Sequence, residues 1–448
     1  MLKTLLLLSS PLLFIQSASP VIAQAAKEPI VIVITVDGFP ARALQDPRLP
    51  MPTLRALAAS GAVASGMKPI NPTVTWPNHT ALITGVNASE HYVMANGLID
   101  LPADHSQPHV LPWVDKDKLV HARTLYEAAT EKGMTTAQVD WVAIYGAKGL
   151  NWIFGEKPDV HDSIPQELIA NGTVTREQIE HFGENSSPAW RDQIFTDAAI
   201  DIIERHQPRL LLMHLLQSDS IQHEYAPLTK AAFTAYAYAD SCIARIIEAT
   251  RKAGLLDRTT FFILSDHGFD AYTHVLNLNV AFAQKGYLHK QNGKWTGDVW
   301  GNSEGGADEV YIAPNRRAEL LPVLKSYLAT LPGVEHVYTN EEAQALGLPS
   351  DKNTDQAPQL YVTAVKGYSF ENDVEGSLTA DTSEPKGAHG YLNGNYEMQA
   401  LFVASGAAIR PGVKLDAIPN LRVAPTIAQI LGLSLPDAKQ PALNEILR

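Results

Sequence analysis

Pro29-Ile-Val-Ile-Val-Ile-Thr-Val36, followed at once by Asp37-Gly38, is the stretch whose reading decides the fold. A half-exposed strand would alternate apolar and polar residues. An unbroken β-branched run instead reads as a central parallel strand buried on both faces, whose carboxyl end carries a carboxylate into a turn. Three similar runs recur. Arg209-Leu-Leu-Leu-Met-His214 ends near Asp219, Thr259-Thr-Phe-Phe-Ile-Leu264 ends at Ser265-Asp266-His267-Gly268, and Gln399-Ala-Leu-Phe-Val-Ala404 ends at Ser405-Gly406. Helical patterns at 51–60, 192–206 and 228–253 lie between them. Strands alternating with helices predict an α/β protein with a largely parallel central sheet flanked by helices. In such a sheet ligands bind outside the carboxyl ends of the strands, and three of these four ends place Asp or His there.

The rest of the chain narrows the class. Its 448 residues are 45% apolar and 19% charged, the balance of a globular protein with a large core. Lys plus Arg 35 against Asp plus Glu 48 leave a net charge of −13 with no basic tract, which argues against long nucleic acid as a partner. The single cysteine, Cys242, can form neither an internal disulfide nor a Cys-rich zinc site, and in its alanine-rich helical pattern it reads as a buried structural thiol. Residues 1–25 read as a signal peptide: Lys3, then broken apolar runs shorter than the ~20 residues needed to span a bilayer, then small residues with cleavage near Ala23 or Ala25. The mature protein is therefore expected to be secreted or periplasmic, with no membrane anchor after cleavage. The catalytic core is expected at 26–285 and 387–448, with an inserted α+β cap at 286–386 containing a strand at 309–313, a helix at 317–330 and strands at 334–338 and 359–365. The region 98–184, with Trp113, Trp141, Tyr145, Trp152 and Phe154, is expected to form a lid or one wall of a pocket.

The acidic and imidazole residues at strand ends or in glycine-bounded turns are Asp37, Asp219, His223, Asp266, His267 and His389. Three carboxylates and three imidazoles are enough for two metal sites. Asp219 and His223 are spaced i, i+4, which on a helical turn puts both side chains on one side, ready for a third ligand from afar. His389 is bounded by glycines in Lys386-Gly-Ala-His-Gly-Tyr391, so its ring can approach a metal without backbone crowding. Asp37, Asp266 and His267 can converge on a second ion. Mixed carboxylate and imidazole donors suit Zn²⁺ best, while Mn²⁺ and Fe²⁺ fit the same ligand types. His105, His109, His121, His161, His181 and His206 are assigned to the background. The second element is Asn71-Pro-Thr-Val-Thr-Trp-Pro-Asn-His-Thr-Ala-Leu-Ile-Thr-Gly85. With Pro77 as first helical residue, Thr75 and Trp76 fall at a helix start, where free N–H groups favour an anion such as phosphate. A threonine hydroxyl becomes a competent nucleophile when a divalent cation coordinates it, and Thr75 is the expected nucleophile; Thr73 lies farther from the helix start.

Taken in order, these motifs resemble the alkaline phosphatase superfamily and, within it, the nucleotide pyrophosphatase/phosphodiesterase family. The resemblance rests on Val36-Asp37-Gly38-Phe39, Pro72-Thr-Val-Thr75-Trp-Pro-Asn-His79, Asn96 in Met94-Ala-Asn-Gly97, Asp219 with His223, Ser265-Asp266-His267-Gly268, His389-Gly390-Tyr391 and the closing Asn420-Leu-Arg-Val-Ala-Pro-Thr-Ile-Ala-Gln-Ile-Leu-Gly432. It implies an alkaline-phosphatase-like three-layer core and two divalent ions, Zn²⁺ by preference, one held by Asp219, His223 and His389 and the other by Asp37, Asp266 and His267. Thr75 would bridge toward the second ion as nucleophile and form a phospho-threonine intermediate. Asn96, with the Thr75 backbone N–H, would donate to a phosphoryl oxygen. The implied substrate is a small phosphate diester or nucleotide, with Trp76 stacking on the leaving group. Sulfatases place Cys or Ser in a C/S-x-P-x-R setting, whereas here Thr75 precedes Trp76-Pro77 with no arginine nearby. A phosphonoacetate hydrolase, with Lys148 in Tyr145-Gly-Ala-Lys-Gly149 as its added lysine, or a phosphomonoesterase are the alternatives on this scaffold. The 141–152 segment departs from the tryptophan-proline-glycine turn of nucleotide-cleaving members.

Overall fold

Ile30–Val36 (β1) is buried along its whole length, and its residues alternate between two apolar clusters. Ile30, Ile32, Ile34 and Val36 belong to one, Val31 and Val33 to the other. Both faces of the strand are therefore covered, which is why the run contains no polar alternation. The computed structural model describes residues 28–184 and 186–448; the expected signal peptide lies outside them. No helix among the described residues is long and apolar enough to cross a membrane.

Seven further strands complete the sheet: Ala62–Ala64 (β2), Thr136–Val139 (β3), Trp152–Phe154 (β4), Leu210–Leu215 (β5), Thr259–Leu264 (β6), Phe402–Gly406 (β7) and Val413–Leu415 (β8), in the order β8-β2-β7-β6-β1-β5-β3-β4. β1 pairs in parallel with β5 and β6, and β3 with β5 and β4. One run behaves differently from the expectation: β7 is antiparallel to both β6 and β2. Its beginning, and not its carboxyl end at Ser405-Gly406, lies beside Asp266 and His267, where Ser265 and Gly268 N–H donate to the Leu401 and Met398 carbonyls. An apolar run specifies burial on two faces and leaves strand direction open.

Helices Pro52–Ser60 (α1), Pro188–Arg205 (α4) and Lys230–Lys252 (α6) cover one face of the sheet, and Thr75–Thr84 (α2), Leu125–Glu131 (α3) and Val423–Leu431 (α7) cover the other. Gln217–Tyr225 (α5) follows β5 directly. Cys242 is buried on α6. The aromatic region 98–184 supplies β3, β4 and α3 to this three-layer core, so it is more than a lid. β3 reads Thr-Ala-Gln-Val, too short and polar to register as a buried run.

The chain between β6 and β7 forms a second unit. A four-stranded antiparallel sheet in the order Val299–Ser303, Ala307–Ile312, Leu360–Ala364 and Val334–Thr339 packs with helix Arg317–Leu328, and Asp270–Leu276 pairs with Tyr368–Phe370 and Thr379–Ala388. Its apolar cluster joins Tyr272, Leu276 and Phe282 to Trp300, Val310, Leu324 and Val362. On Ala307–Ile312, Asp308 is fully buried with neither carboxylate oxygen bonded, and burial pushes it up to about 8. It therefore folds as the neutral acid, whereas the unfolded chain releases this proton near pH 4. Its contribution is fully present below that pH and is lost as pH rises toward about 8. Asp308→Asn is accordingly expected to gain stability relative to the parent as pH rises from 5 to 8, by at most ~1.4 kcal/mol per pH unit. Denaturant titrations at both pH values check it, and a pH-independent difference would refute it.

Candidate active site

Three strand ends and one helix are tied together by short bonds. Gly38 turns the chain after Asp37 at φ +65°. Its N–H donates to Asp266 Oδ1 (3.1 Å) and Phe39 N–H to Ser265 Oγ (2.9 Å), joining the ends of β1 and β6. Gln222 Nε2 donates to the Gly38 carbonyl (2.8 Å) and the Ser218 hydroxyl to the Asp37 carbonyl, which docks α5 on the same turn. The N-terminus of α5 is satisfied from another helix: buried Asp192 on α4 accepts from Leu216 N–H (2.9 Å) and Gln217 N–H (3.1 Å). α5 then presents Asp219 in its first turn and His223 in its last.

The structure brings all six strand-end and turn residues together in two groups. Ligand atoms of Asp219, His223 and His389 lie within 4.8 Å of one another, as do those of Asp37, Asp266 and His267. The groups adjoin, with the His267 and His389 rings stacked 4.0 Å apart. Each imidazole uses Nδ1–H on a backbone carbonyl: His223 on Gly387 (3.1 Å), His267 on Gly268 (3.1 Å) and His389 on Thr73 (3.1 Å). A carbonyl only accepts, so this tautomer leaves the three Nε2 lone pairs facing the carboxylates, the arrangement in which imidazoles ligate a metal. Asp37 Oδ1, Asp219 Oδ1 and Asp266 Oδ2 are buried with no hydrogen-bond partner. Burial, with repulsion from Asp266 and Asp219, pushes Asp37 well up. Burial works to raise Asp219 too, but His223 beside it, with His389 and His267, holds it down to about 2. Three crowded carboxylates with idle oxygens and three oriented imidazoles make a donor set that fits two cations.

Thr75 opens α2, so Pro77 is its third residue and not its first; within the first turn a missing N–H costs nothing. The Thr75 hydroxyl is 3.3 Å from His267 Nε2. Asn96 Oδ1 accepts from Trp76 N–H (3.0 Å), which fixes its amide beside the helix start. The approach to the helix is braced by Asn78, whose Oδ1 accepts from Ile70 N–H (2.8 Å) and Asn420 Nδ2 (3.0 Å) while its Nδ2 donates to Pro72 (3.0 Å) and Val74 (2.9 Å).

Two histidines of this centre escaped the sequence reading. His214, level with Thr35 across β1 and β5, lies between Asp37 Oδ2 (3.1 Å) and Asp140 Oδ2 (3.1 Å). Burial works against its charged form, but its bonds to Asp140 and Asp37 raise it well above the usual range. His79 on α2 donates from Nδ1 to the Thr75 carbonyl (2.9 Å), with Nε2 2.8 Å from Thr35 Oγ1; burial pushes it down to about 3. The available signals were the end of an apolar run for His214 and the i, i+4 spacing from Thr75 for His79.

A cavity of about 640 Å³ opens beside Trp76, lined among others by Trp113, Gln138, Trp141 and Tyr145. Trp76 also packs against Val93, Leu119 and Val142. Trp152 faces elsewhere, stacked on His206 (4.6 Å), and exposed Lys148 is not part of the lining. His206 forms a third acidic group with Glu167 and Asp201, but Arg205 Nε already pairs with Asp201 at 2.8 Å.

A family model described as type I phosphodiesterase / nucleotide pyrophosphatase matches residues 31–392. The chain belongs to this family. Among relatives, an uncharacterized pyrophosphatase/phosphodiesterase of Schizosaccharomyces pombe is 24% identical, covering 90% of this chain and 77% of its own length. Ectonucleotide pyrophosphatase/phosphodiesterase family member 1 of Rattus norvegicus is 22% identical over 94% of this chain, which spans only 43% of the rat protein. Bis(5'-adenosyl)-triphosphatase of Xenopus laevis is 22% identical, with 91% and 78% covered. Murine ectonucleotide pyrophosphatase/phosphodiesterase 5, solved as an inactive threonine-to-alanine variant in complex with AMP, superposes with a TM-score of 0.71 at 17% identity over 94% of this chain and 100% of that one. The phosphodiesterase fold is thus shared although few residues are.

In this member of the family the turn after β1 depends on Gly38. A Cβ there would meet Phe269 Cε2 at 2.6 Å, in addition to the positive φ. Gly133 has φ +71° with nothing within 4 Å. Gly38→Ala is expected to cost clearly more than the ~1 kcal/mol of Gly133→Ala, as equal denaturation midpoints would disprove.

Proposed function

We propose that the protein is a two-metal phosphodiesterase/nucleotide pyrophosphatase that hydrolyses a small phosphate diester or nucleotide through a phospho-threonine on Thr75. The observation that carries this reading is the pair of acid–imidazole groups flanking the Thr75 hydroxyl at the start of α2. Asp219, His223 and His389 would hold one ion; Asp37, Asp266 and His267, with Thr75, the other; the donors suit Zn²⁺ best. Two bound cations would lower the pKa of the Thr75 hydroxyl and offset the charge that develops on the phosphoryl group.

Thr75 gives up its proton and its Oγ bonds to phosphorus, while the bond to the leaving oxygen breaks and that oxygen takes up a proton by way of water to depart as an alcohol or phosphate. Asn96 Nδ2 and the Thr75 N–H at the helix start donate to the non-bridging oxygens. Water then adds to phosphorus, the Thr75 Oγ–P bond breaks, and a phosphomonoester leaves with the hydroxyl restored. His214 and His79 touch no substrate in this scheme; they position Asp37 and the Thr75 turn. The cavity beside Trp76 takes the leaving group, and its aromatic lining suits a nucleobase at ~1–3 kcal/mol per stacked base. The names of the frog triphosphatase and the AMP-bound mouse structure support a nucleotide. The unit between β6 and β7, built around residues 286–386, acts as a cap on the remaining core, and the signal peptide at 1–25 directs the chain to the periplasm or outside.

Thr75→Ala is expected to lose at least ~10³-fold in turnover on bis-p-nitrophenyl phosphate while retaining two zinc ions by elemental analysis; unchanged turnover would exclude the covalent route. Rates on p-nitrophenyl phosphate and phosphonoacetate, measured alongside, should be lower than on the diester. His214→Asn removes one partner of Asp37 and is expected to weaken zinc binding by ~10–100-fold in competition titrations with a chromophoric chelator. Undiminished affinity would assign His214 to packing alone.

A further inference from the structure

One face of the cap's four-stranded sheet carries Trp300 and Asn302, then Ala307, Glu309 and Tyr311, then Tyr361 and Thr363, by the alternation of three paired strands. That face packs onto the core, where Ala307, Tyr311 and Tyr361 meet Ile70, Ala81, Met94 and Ala95. Into this apolar seam the sequence places two carboxyl groups. Glu309 is fully buried; its Oε2 accepts from the Tyr311 hydroxyl (3.0 Å), and its Oε1 has no partner. Glu304, just past the end of Val299–Ser303, accepts from Asn302 Nδ2 (3.1 Å).

Two hydroxyls on the same face are also idle. Tyr361, directly opposite Glu309, and Thr363 are each 1% exposed with no hydrogen-bond partner, and both carboxylates act electrostatically on the Tyr361 hydroxyl. Among the described residues the charged groups bearing most on Glu309 are Glu304 and Asp308, and on Glu304 it is Asp308, all acidic. A buried carboxylate beside a second, partly exposed one, with no cation next to either, is a costly arrangement. Burial pushes Glu304 up to about 8 and, with Glu304 repelling it, Glu309 well above its usual range.

We propose that Glu304, Glu309 and Tyr361 form a site for a hard divalent cation of the Ca²⁺ class, separate from the two acid–imidazole groups. The donors are all oxygens, two of them carboxylate, which select Ca²⁺ over the nitrogen-seeking Zn²⁺. The ion would replace the missing positive charge and give the orphaned oxygen and hydroxyl a partner. Its place in the fold links it to the active centre mechanically: Gly306 N–H donates to the His389 carbonyl (2.7 Å), and a Cβ on Gly390 would overlap the Glu304 carbonyl oxygen at 1.7 Å. The cation would thus brace the loop against which His389 is seated.

The test uses the full zinc-loaded chain in calcium-free buffer at pH 8, titrated calorimetrically with CaCl₂ and analysed for bound metals. The expected result is one Ca²⁺ per chain with zinc retained and a higher melting temperature. Glu309→Gln, similar in shape, should bind Ca²⁺ at least ~10-fold more weakly while keeping its zinc. Should that variant fail to fold, the partly exposed Glu304→Gln and the ring-preserving Tyr361→Phe should show the same selective weakening. Absence of Ca²⁺ binding would overturn the proposal in favour of a carboxyl pair that shares a proton. Ca²⁺ binding that survives all three substitutions would overturn it by placing the ion elsewhere.

Discussion

Parallel pairing of β1 with β5 and β6 puts Thr35 level with His214 and Leu264, and this register forces Asp37, Asp219 and Asp266 into one small buried volume. Everything around them answers the resulting repulsion. His214 is bonded between Asp37 and Asp140, which favours its charged form, while three further imidazoles turn their Nε2 atoms inward. The carboxylate oxygens left over, Asp37 Oδ1, Asp219 Oδ1 and Asp266 Oδ2, are the ones that no protein group satisfies. A buried anionic cluster of this kind is a poor contributor to stability and a good receptor for divalent cations.

The scaffold meets that cost with bonds that cross between elements. Asp192 on α4 caps α5, Asn78 on α2 holds the loop before its own helix, and Asn420 holds Asn78. The Asp192 and Asn420 bonds join segments 24 and 342 residues apart, while the Asn78–Pro72 bond is local. The centre is thereby anchored from several elements at once, and glycine at position 38 is demanded by the close approach of Phe269.

The second unit extends the same theme. Its sheet seals one side of the core over Met94 and Ala95, next to Asn96, and brings buried acids of its own at Asp308 and Glu309. The aromatic cavity lies on the other side, built from 98–184 and from Trp76. The start of α2 therefore has the cap's seam on the side of Met94 and Ala95 and the aromatic cavity on the side of Trp76.

The sequence by itself determined the α/β class, the buried central strand and which six side chains gather, because each sits at a strand end after an apolar run, on one helical turn, or between glycines. Those signals are local. The direction of β7, the use of 98–184 as sheet strands, the turn of Trp152 away from the cavity, and the recruitment of His79, Asp140 and His214 were decided only by the tertiary structure. The physical reason is that hydrophobic burial specifies how much surface a segment loses to water, whereas strand direction, register and hydrogen-bond partners depend on segments up to hundreds of residues apart. Asp140 and His214 meet only once β3 and β5 are paired, as Glu309 and Tyr361 meet only once Ala307–Ile312 lies against Leu360–Ala364.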